Sequence, residues 1–353
     1  MQRRARIRRR RLVLGTVVLL VVAGVLVLTL GGGSGPGTDP TTSAPRASTT
    51  SLAPRPKPPF AVGTVSYTLT EPAAPGGTPR SLPTTVRYPA TGAPGGADQP
   101  GGTPLAAGAP YPLVVFSQGF NIDPEAYSLL LDAWAAAGYV VADPAYPFTS
   151  PTSPGGPVRT DIVNHPADLS YVITALLGDS ATRGDTLSGL VDPGEVGVIG
   201  HSDGGDVSLA AASNTCCHDR RIKAAVILSG AQYAGFPGTY TATPAVPLLV
   251  VQGTADTDLN PPSCSIQLYD AAAPPKYYLS MLGQDHTSAY LYAGQSLNVV
   301  VTVTVAFLDA YLKHSAPQLA AIGADGNVAG VATVTAAASV GPPTGSCPDA
   351  PAG

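Results

Sequence analysis

The chain has 353 residues, of which 12% are charged and 44% hydrophobic, and its 40 Gly and 37 Pro make up just over a fifth of it. This excludes wholesale disorder, a collagen-like repeat and a long coiled coil, and leaves room for a sizeable core among long loops. The net charge of −4 is uneven: seven of the 19 basic residues are Arg within the first eleven positions, and the other 12 face 23 acidic side chains, a net of −11. No basic stripe remains to meet phosphates, which argues against a nucleic-acid partner.

Residues 1–11 form a basic arm. Residues 12–30 carry no charge, and as a helix these 19 positions span roughly 28 Å, close to the hydrocarbon thickness of a bilayer. The Arg cluster ahead of them is expected to stay cytoplasmic, which sends the rest of the chain across. The leading reading is an uncleaved transmembrane signal anchor. A cleaved signal peptide is the alternative, although Gly31, Gly32 and Gly33 follow the apolar run with no A-x-A-like site. Either reading places the body outside the cytoplasm, membrane-anchored or secreted. Residues 31–59, rich in Gly, Pro, Ser and Thr, read as a disordered linker.

From Phe60 the pattern becomes that of a folded domain, expected over 60–314. Stretches 61–69 and 84–88 read as early strands, with Pro/Gly-rich loops at 72–83 and 91–110. Strand and helix signals then alternate. A strand at 112–117 precedes a helix at 123–137, with Asp123 as N-cap, Pro124 at its first position and Gly138 past its end. Strand 139–142, helix 159–177, strand 196–199 and helix 203–213 follow. Apolar strands at 224–228 and 248–251, a helix at 261–272, a strand at 276–281 and a helix at 291–312 complete the series. Such alternation predicts an α/β fold with a mainly parallel central sheet flanked by helices. Residues 315–353 read as an Ala/Gly-rich C-terminal extension around a late strand or helix.

The stretch Gly200-His-Ser-Asp-Gly204 matches G-x-S-x-G and sits between a predicted strand and a predicted helix. Gly200, His201 and Gly204 would form a tight elbow that presents Ser202 above the sheet edge, with the helix N-terminus favouring a developing oxyanion. A neutral hydroxyl is a weak nucleophile and needs a base held by a third group, in the chain order Ser, acid, His. Of the histidines after Ser202, His286 follows a late strand; His218 falls near the far end of the following helix and His314 ends a helix beside Lys313. Asp256, closing the Gly253-Thr-Ala-Asp turn, is the expected acid, ahead of Asp258 and of Asp285, whose adjacency to His286 turns the two side chains apart. The loop Ser117-Gln-Gly-Phe120 follows the first core strand. It is expected to supply the Phe120 backbone N–H to an oxyanion hole completed by the N–H of Asp203, with Gln118 and Phe120 bordering the acyl pocket. Asp168 is read as structural, and so is His165, ahead of the alternative that it lines the site.

Together these features resemble the α/β-hydrolase superfamily, and within it bacterial lipase/cutinase-like and platelet-activating-factor-acetylhydrolase-like serine esterases. The resemblance rests on Val86-Arg-Tyr-Pro89, Leu113-Val-Val-Phe-Ser-Gln-Gly-Phe120, Gly138-Tyr-Val-Val-Ala142, Gly200-His-Ser-Asp-Gly-Gly205, the 253–256 turn and Asp285-His286. It implies the α/β-hydrolase fold and Ser-His-Asp cleavage of a small-molecule or lipid carboxylic ester, through an acyl-enzyme and without cofactor or metal. The alternatives are a peptidase or amidase on the same fold, and a catalytically weak, hydrolase-like binding module of the cell envelope. Relatives often carry His or Pro at the position of Gln118 and an apolar residue at that of Asp203. An Asp aimed into the oxyanion site would oppose the developing charge, so Asp203 is expected to turn away, towards an Arg or a helix amide.

Cys216, Cys217, Cys264 and Cys347 all lie in the exported part, and an even count in an oxidising compartment predicts two disulfides. A vicinal 216–217 bridge is the least expected pairing. The expectation is one of Cys216 and Cys217 with Cys264, and the other with Cys347.

Overall fold

The computed structural model describes residues 59–72, 77–240, 244–342 and 346–347. The basic arm, the apolar 12–30 segment and the linker up to residue 58 lie outside the described residues. The strands are β1 (Ala61–Glu71), β2 (Arg80–Ala90), β3 (Gln99–Pro100), β4 (Tyr111–Ser117), β5 (Val140–Pro144), β6 (Val191–His201), β7 (Ile222–Leu228), β8 (Leu248–Gly253), β9 (Lys276–Met281) and β10 (Ala332–Thr335). The main helices are α1 (Ser128–Ala136), α2 (His165–Ala181), α3 (Asp203–Ser213), α4 (Pro262–Ala271), α5 (Gln295–Leu312) and α6 (Ala316–Gly326).

The strands form one sheet in the order β10-β9-β8-β7-β6-β4-β5-β2-β1-β3. β5, β4, β6, β7, β8 and β9 are mutually parallel, while β2 joins β5, and β10 joins β9, antiparallel. Every residue of β4 is buried, as a parallel strand covered on both faces requires. Its alternation splits the core: Leu113 and Val115 pack with α2, α3 and α4, and Val114 and Phe116 with α1 and α5. α5 is long and apolar enough to cross a bilayer by length and composition, yet one face of it, including Leu297, Val300, Val303, Phe307 and Leu308, is buried in the second of these layers. From β4 the chain crosses to β5 on one side and returns to β6 on the other. Crevices in open α/β sheets form at such a reversal, outside the carboxyl ends of the strands.

The elements follow the expected order, with displaced ends. The helix expected at 123–137 begins as a 3-10 turn, Pro124–Tyr127, with the Asp123 carboxylate accepting from Glu125 N–H at 2.9 Å. The helix expected at 159–177 likewise starts as a 3-10 turn, Arg159–Asn164, and α2 proper begins at His165. Pro166 lacks an N–H and is tolerated only in a first turn, which is where it falls. β6 starts five residues before the expected 196, because Pro193, Gly194 and Glu195 are accommodated as an irregularity between the pairs Pro112–Asp192 and Leu113–Val196. Beyond Ser315, α6 and β10 extend the fold, with β10 closing the β9 edge of the sheet.

The disulfide expectation is corrected. Cys264 pairs with Cys347, and Cys216 with Cys217. The C-terminal segment returns along α4: Tyr269 OH donates to Ala337 O at 2.6 Å, Ser339 Oγ to Asp270 at 2.7 Å and Ser263 Oγ to Ser346 O at 3.1 Å. This brings Cys347 to Cys264 and leaves the neighbours after α3 only each other.

Arg87 on β2 is 2% exposed and faces Asp143 (2.8 Å), Asp132 (2.8 Å), Glu125 (2.7 Å) and Asp98 (3.7 Å). One guanidinium cannot neutralise four carboxylates. Burial, and then repulsion from Asp98, pushes Asp132 up to about 7; burial does the same for Asp143, against the pull of Arg87. A carboxyl raised in the folded state holds its proton where the unfolded chain has released it, so its contribution to stability falls as pH rises from about 4 to 7. Asp132→Asn is therefore expected to gain in melting temperature relative to wild type by about 2 °C or more between pH 5 and pH 8. A difference that stays constant with pH in paired thermal melts would contradict this.

Candidate active site

β6 and β4 are neighbours, with Ser117 opposite Gly200, so the segments leaving both strands meet above the sheet. β6 ends at His201 and α3 begins at Asp203; Ser202 between them has φ 56° and ψ −128°. A non-glycine residue in this region is strained and persists only where its surroundings fix it. Here Ser202 N–H donates to Leu228 O at 2.9 Å, and Ser202 O accepts from Asp206 N–H at 3.1 Å. A side chain at Gly200 would overlap the Gly204 carbonyl, and one at Gly204 would overlap the carbonyls of Ser117 and Gln118. The elbow thus needs glycine at both positions.

The structure brings together the three residues singled out in the sequence. His286 Nε2 lies 2.8 Å from Ser202 Oγ, and His286 Nδ1 lies 2.6 Å from Asp256 Oδ2. Asp256 is 2% exposed, and its carboxylate also accepts from Asn260 N–H (3.1 Å) and Gln252 Nε2 (3.2 Å), which fixes its orientation. With the imidazole proton on Nδ1, Nε2 is an acceptor facing the serine hydroxyl. Asp258 is exposed. Asp285 accepts from Thr287 N–H and Ser288 N–H, and hydrogen bonds from Ser288 and Thr287 hold its carboxyl down to about 2. Three other histidines are elsewhere: His314 bonds Glu195 at 2.9 Å, His165 stacks on Tyr146 at 4.3 Å, and His218 lies beyond α3 beside the vicinal cysteines. Asp168 is buried and holds Arg80.

The loop after β4 packs against the elbow; a Cβ on Gly119 would stand 3.2 Å from that of Ser202. Phe120 is half-buried in this loop. Gln118, expected to border the acyl pocket, turns the other way, because its amide bridges the backbone at the end of β5: the nitrogen donates to Pro144 O (2.9 Å) and the oxygen accepts from Tyr146 N–H (3.1 Å). Asp203 also turns aside, with its carboxylate held by Arg159 at 2.7–3.1 Å. An apolar cavity of about 250 Å³, lined by Leu209, Ala225, Tyr240 and Leu248, includes none of Ser202, Asp256 and His286.

A second tier of contacts was not foreseen from the sequence. His201 is fully buried, and burial, followed by the neighbouring His286, pulls it down to about 3, so the ring stays neutral across the working range. Its Nε2–H donates to His286 O at 2.7 Å, and its Nδ1 accepts from Tyr127 OH at 2.7 Å. Tyr127 OH in turn accepts from Gly119 N–H at 3.3 Å. One phenol thus links the loop beside the nucleophile, through His201, to the backbone of the general-base candidate. Tyr127→Phe leaves a buried Nδ1 without a partner, at an expected cost of about 1–3 kcal/mol in stability. A kcat decrease of roughly threefold to tenfold should accompany it, through loosened placement of His286. Chemical denaturation and ester kinetics check both; no change in either would show the bridge to be idle.

No family model matches the chain, and no curated protein is significantly similar to it in sequence. Among solved structures it is similar to a ferulic acid esterase from Streptomyces cinnamoneus, with a TM-score of 0.55 and 21% identity, over 75% of this chain and 93% of that one. The chain has the α/β-hydrolase fold: a mainly parallel central sheet with helices on both faces.

Proposed function

We propose that the chain is a serine hydrolase of carboxylic esters, with Ser202, His286 and Asp256 as its catalytic triad. The observation that carries the proposal is the continuous relay from Ser202 Oγ through His286 to a buried, oriented Asp256. Ser202 Oγ attacks the acyl carbon while His286 Nε2 takes its proton, and Asp256 stabilises the imidazolium. The backbone N–H groups of Phe120 and Asp203 hold the oxyanion. Collapse of the tetrahedral intermediate expels the alcohol, which receives the proton from His286 and leaves an acyl-Ser202. Water, activated by the same imidazole, then releases the acid and restores the serine. The likeness in fold to a ferulic acid esterase supports an ester as the bond cleaved.

The body works outside the cytoplasm, on a tether formed by residues 12–30 or as a secreted protein, and meets a small-molecule or lipid ester there. The arginine cluster ahead of an uncharged run supports this location, and so does the pairing of all four cysteines.

The test is a fluorophosphonate probe applied to the full chain in detergent, with the adduct located by mass spectrometry and matched ester and anilide substrates assayed in parallel. Phosphonylation of Ser202 that requires His286, with the ester turned over faster than the anilide, is the expected result. A folded chain that is not labelled would overturn the hydrolase reading, and preferential anilide cleavage would replace esterase by amidase.

A further inference from the structure

We propose that Arg159 is an electrostatic positioning residue for this site, cancelling the carboxylate of Asp203 so that the N–H of that same residue can hold an oxyanion. The proposal rests on Ser202 being the nucleophile.

Asp203 is the first residue of α3, and its side chain is 9% exposed. A carboxylate there complements the positive end of the helix in the resting enzyme. When the acyl carbonyl becomes an oxyanion, the same carboxylate is a like charge in a partly desolvated site, and repulsion between them lands on the transition state. The side chain is turned to Arg159, whose Nε lies 2.9 and 3.1 Å from the two carboxylate oxygens and whose Nη2 lies 2.7 Å from one of them. Two guanidinium nitrogens on one carboxylate fix both orientation and charge, which a lysine could not do in the same way. The guanidinium also lies 5.6 Å from the Tyr233 ring centroid, on the segment joining β7 to β8. Three pieces of chain therefore converge on one charge pair beside Ser202: the first turn of α3, the 3-10 turn ahead of α2, and the crossover after β7.

If the pair acts through charge, the rate follows the net charge left beside the oxyanion. If it merely braces the fold, breaking it from either side does harm. Four full-length proteins separate these cases: wild type, R159Q, D203N and the double variant R159Q/D203N. The readouts are kcat and KM on the uncharged ester p-nitrophenyl butyrate, with active sites counted by fluorophosphonate titration. The expected order in kcat is D203N about two- to fivefold above wild type, the double variant within about threefold of wild type, and R159Q on the order of 30-fold below it, with KM little changed. A D203N rate that falls together with R159Q, or an R159Q rate equal to wild type, overturns the proposal. Should R159Q fail to fold, D203N and the double variant decide: a double variant tenfold or more below wild type overturns the proposal, and one near wild type upholds it. A wild-type chain that is neither labelled nor active sinks the hydrolase assignment, and this proposal with it.

Discussion

Ser202→Ala is expected to lower kcat for ester hydrolysis by about a millionfold and to abolish fluorophosphonate labelling, while the protein stays folded. The change removes only the oxygen 2.8 Å from His286 Nε2. The elbow survives, because its contacts are backbone ones: Ser202 N–H to Leu228 O, and Asp206 N–H to Ser202 O. Alanine at φ 56° carries much the same strain as serine. A residual acceleration of roughly a thousandfold over water would remain from the oxyanion donors and substrate binding. Steady-state kinetics, adduct mass and a thermal melt together make the test. Persistence of even a tenth of the wild-type rate in a well-folded variant would remove Ser202 from the mechanism.

Asp256→Asn should cost about 10⁴ in kcat, and Asp258→Asn less than twofold. The first change replaces an acceptor held 2.6 Å from His286 Nδ1 with a group that can present a donor instead. An amide whose NH₂ faces Nδ1 favours the tautomer with the proton on Nε2, which can no longer receive the proton of Ser202. The second change alters an exposed carboxylate. Measuring kcat for both variants on one ester, beside their melting temperatures, separates the two residues. Reversed sensitivities would mean that the acid had been assigned to the wrong side of the turn.

What the sequence disclosed, and what it withheld, divides by the range of the interactions involved. The elbow was legible because its requirements are local: a strand, small residues around a serine, and a helix start. Asp256 and His286 were legible because each follows a strand in the chain order the chemistry needs. Tyr127 was not, since its bond to His201 joins positions 74 residues apart and depends on how α1 sits against β6. The orientation of Gln118 depends on the carbonyl of Pro144 at the end of the next strand. Arg159 as the partner of Asp203 was anticipated only as one of two options, an unspecified arginine or a helix amide. The cysteine pairing was misread because it is decided by where the last thirty or so residues return, and Ala/Gly-rich sequence gives little sign of that. Helix starts shifted at two elements that proline opens, at Pro124 and Pro166.

The Cys264–Cys347 bridge spans 83 residues, and His286 lies inside that span while Ser202 and Asp256 lie before it. His286 is thus carried on a covalent ring sewn onto the part of the chain that bears Ser202 and Asp256. A single proteolytic cut at an exposed turn within the ring, such as that around Gly330, severs the backbone without releasing either piece. The protein would then run as a nicked, two-fragment species that separates only under reducing and denaturing conditions. Once nicked there, the molecule would owe its durability to the sulfur bond as much as to the peptide backbone.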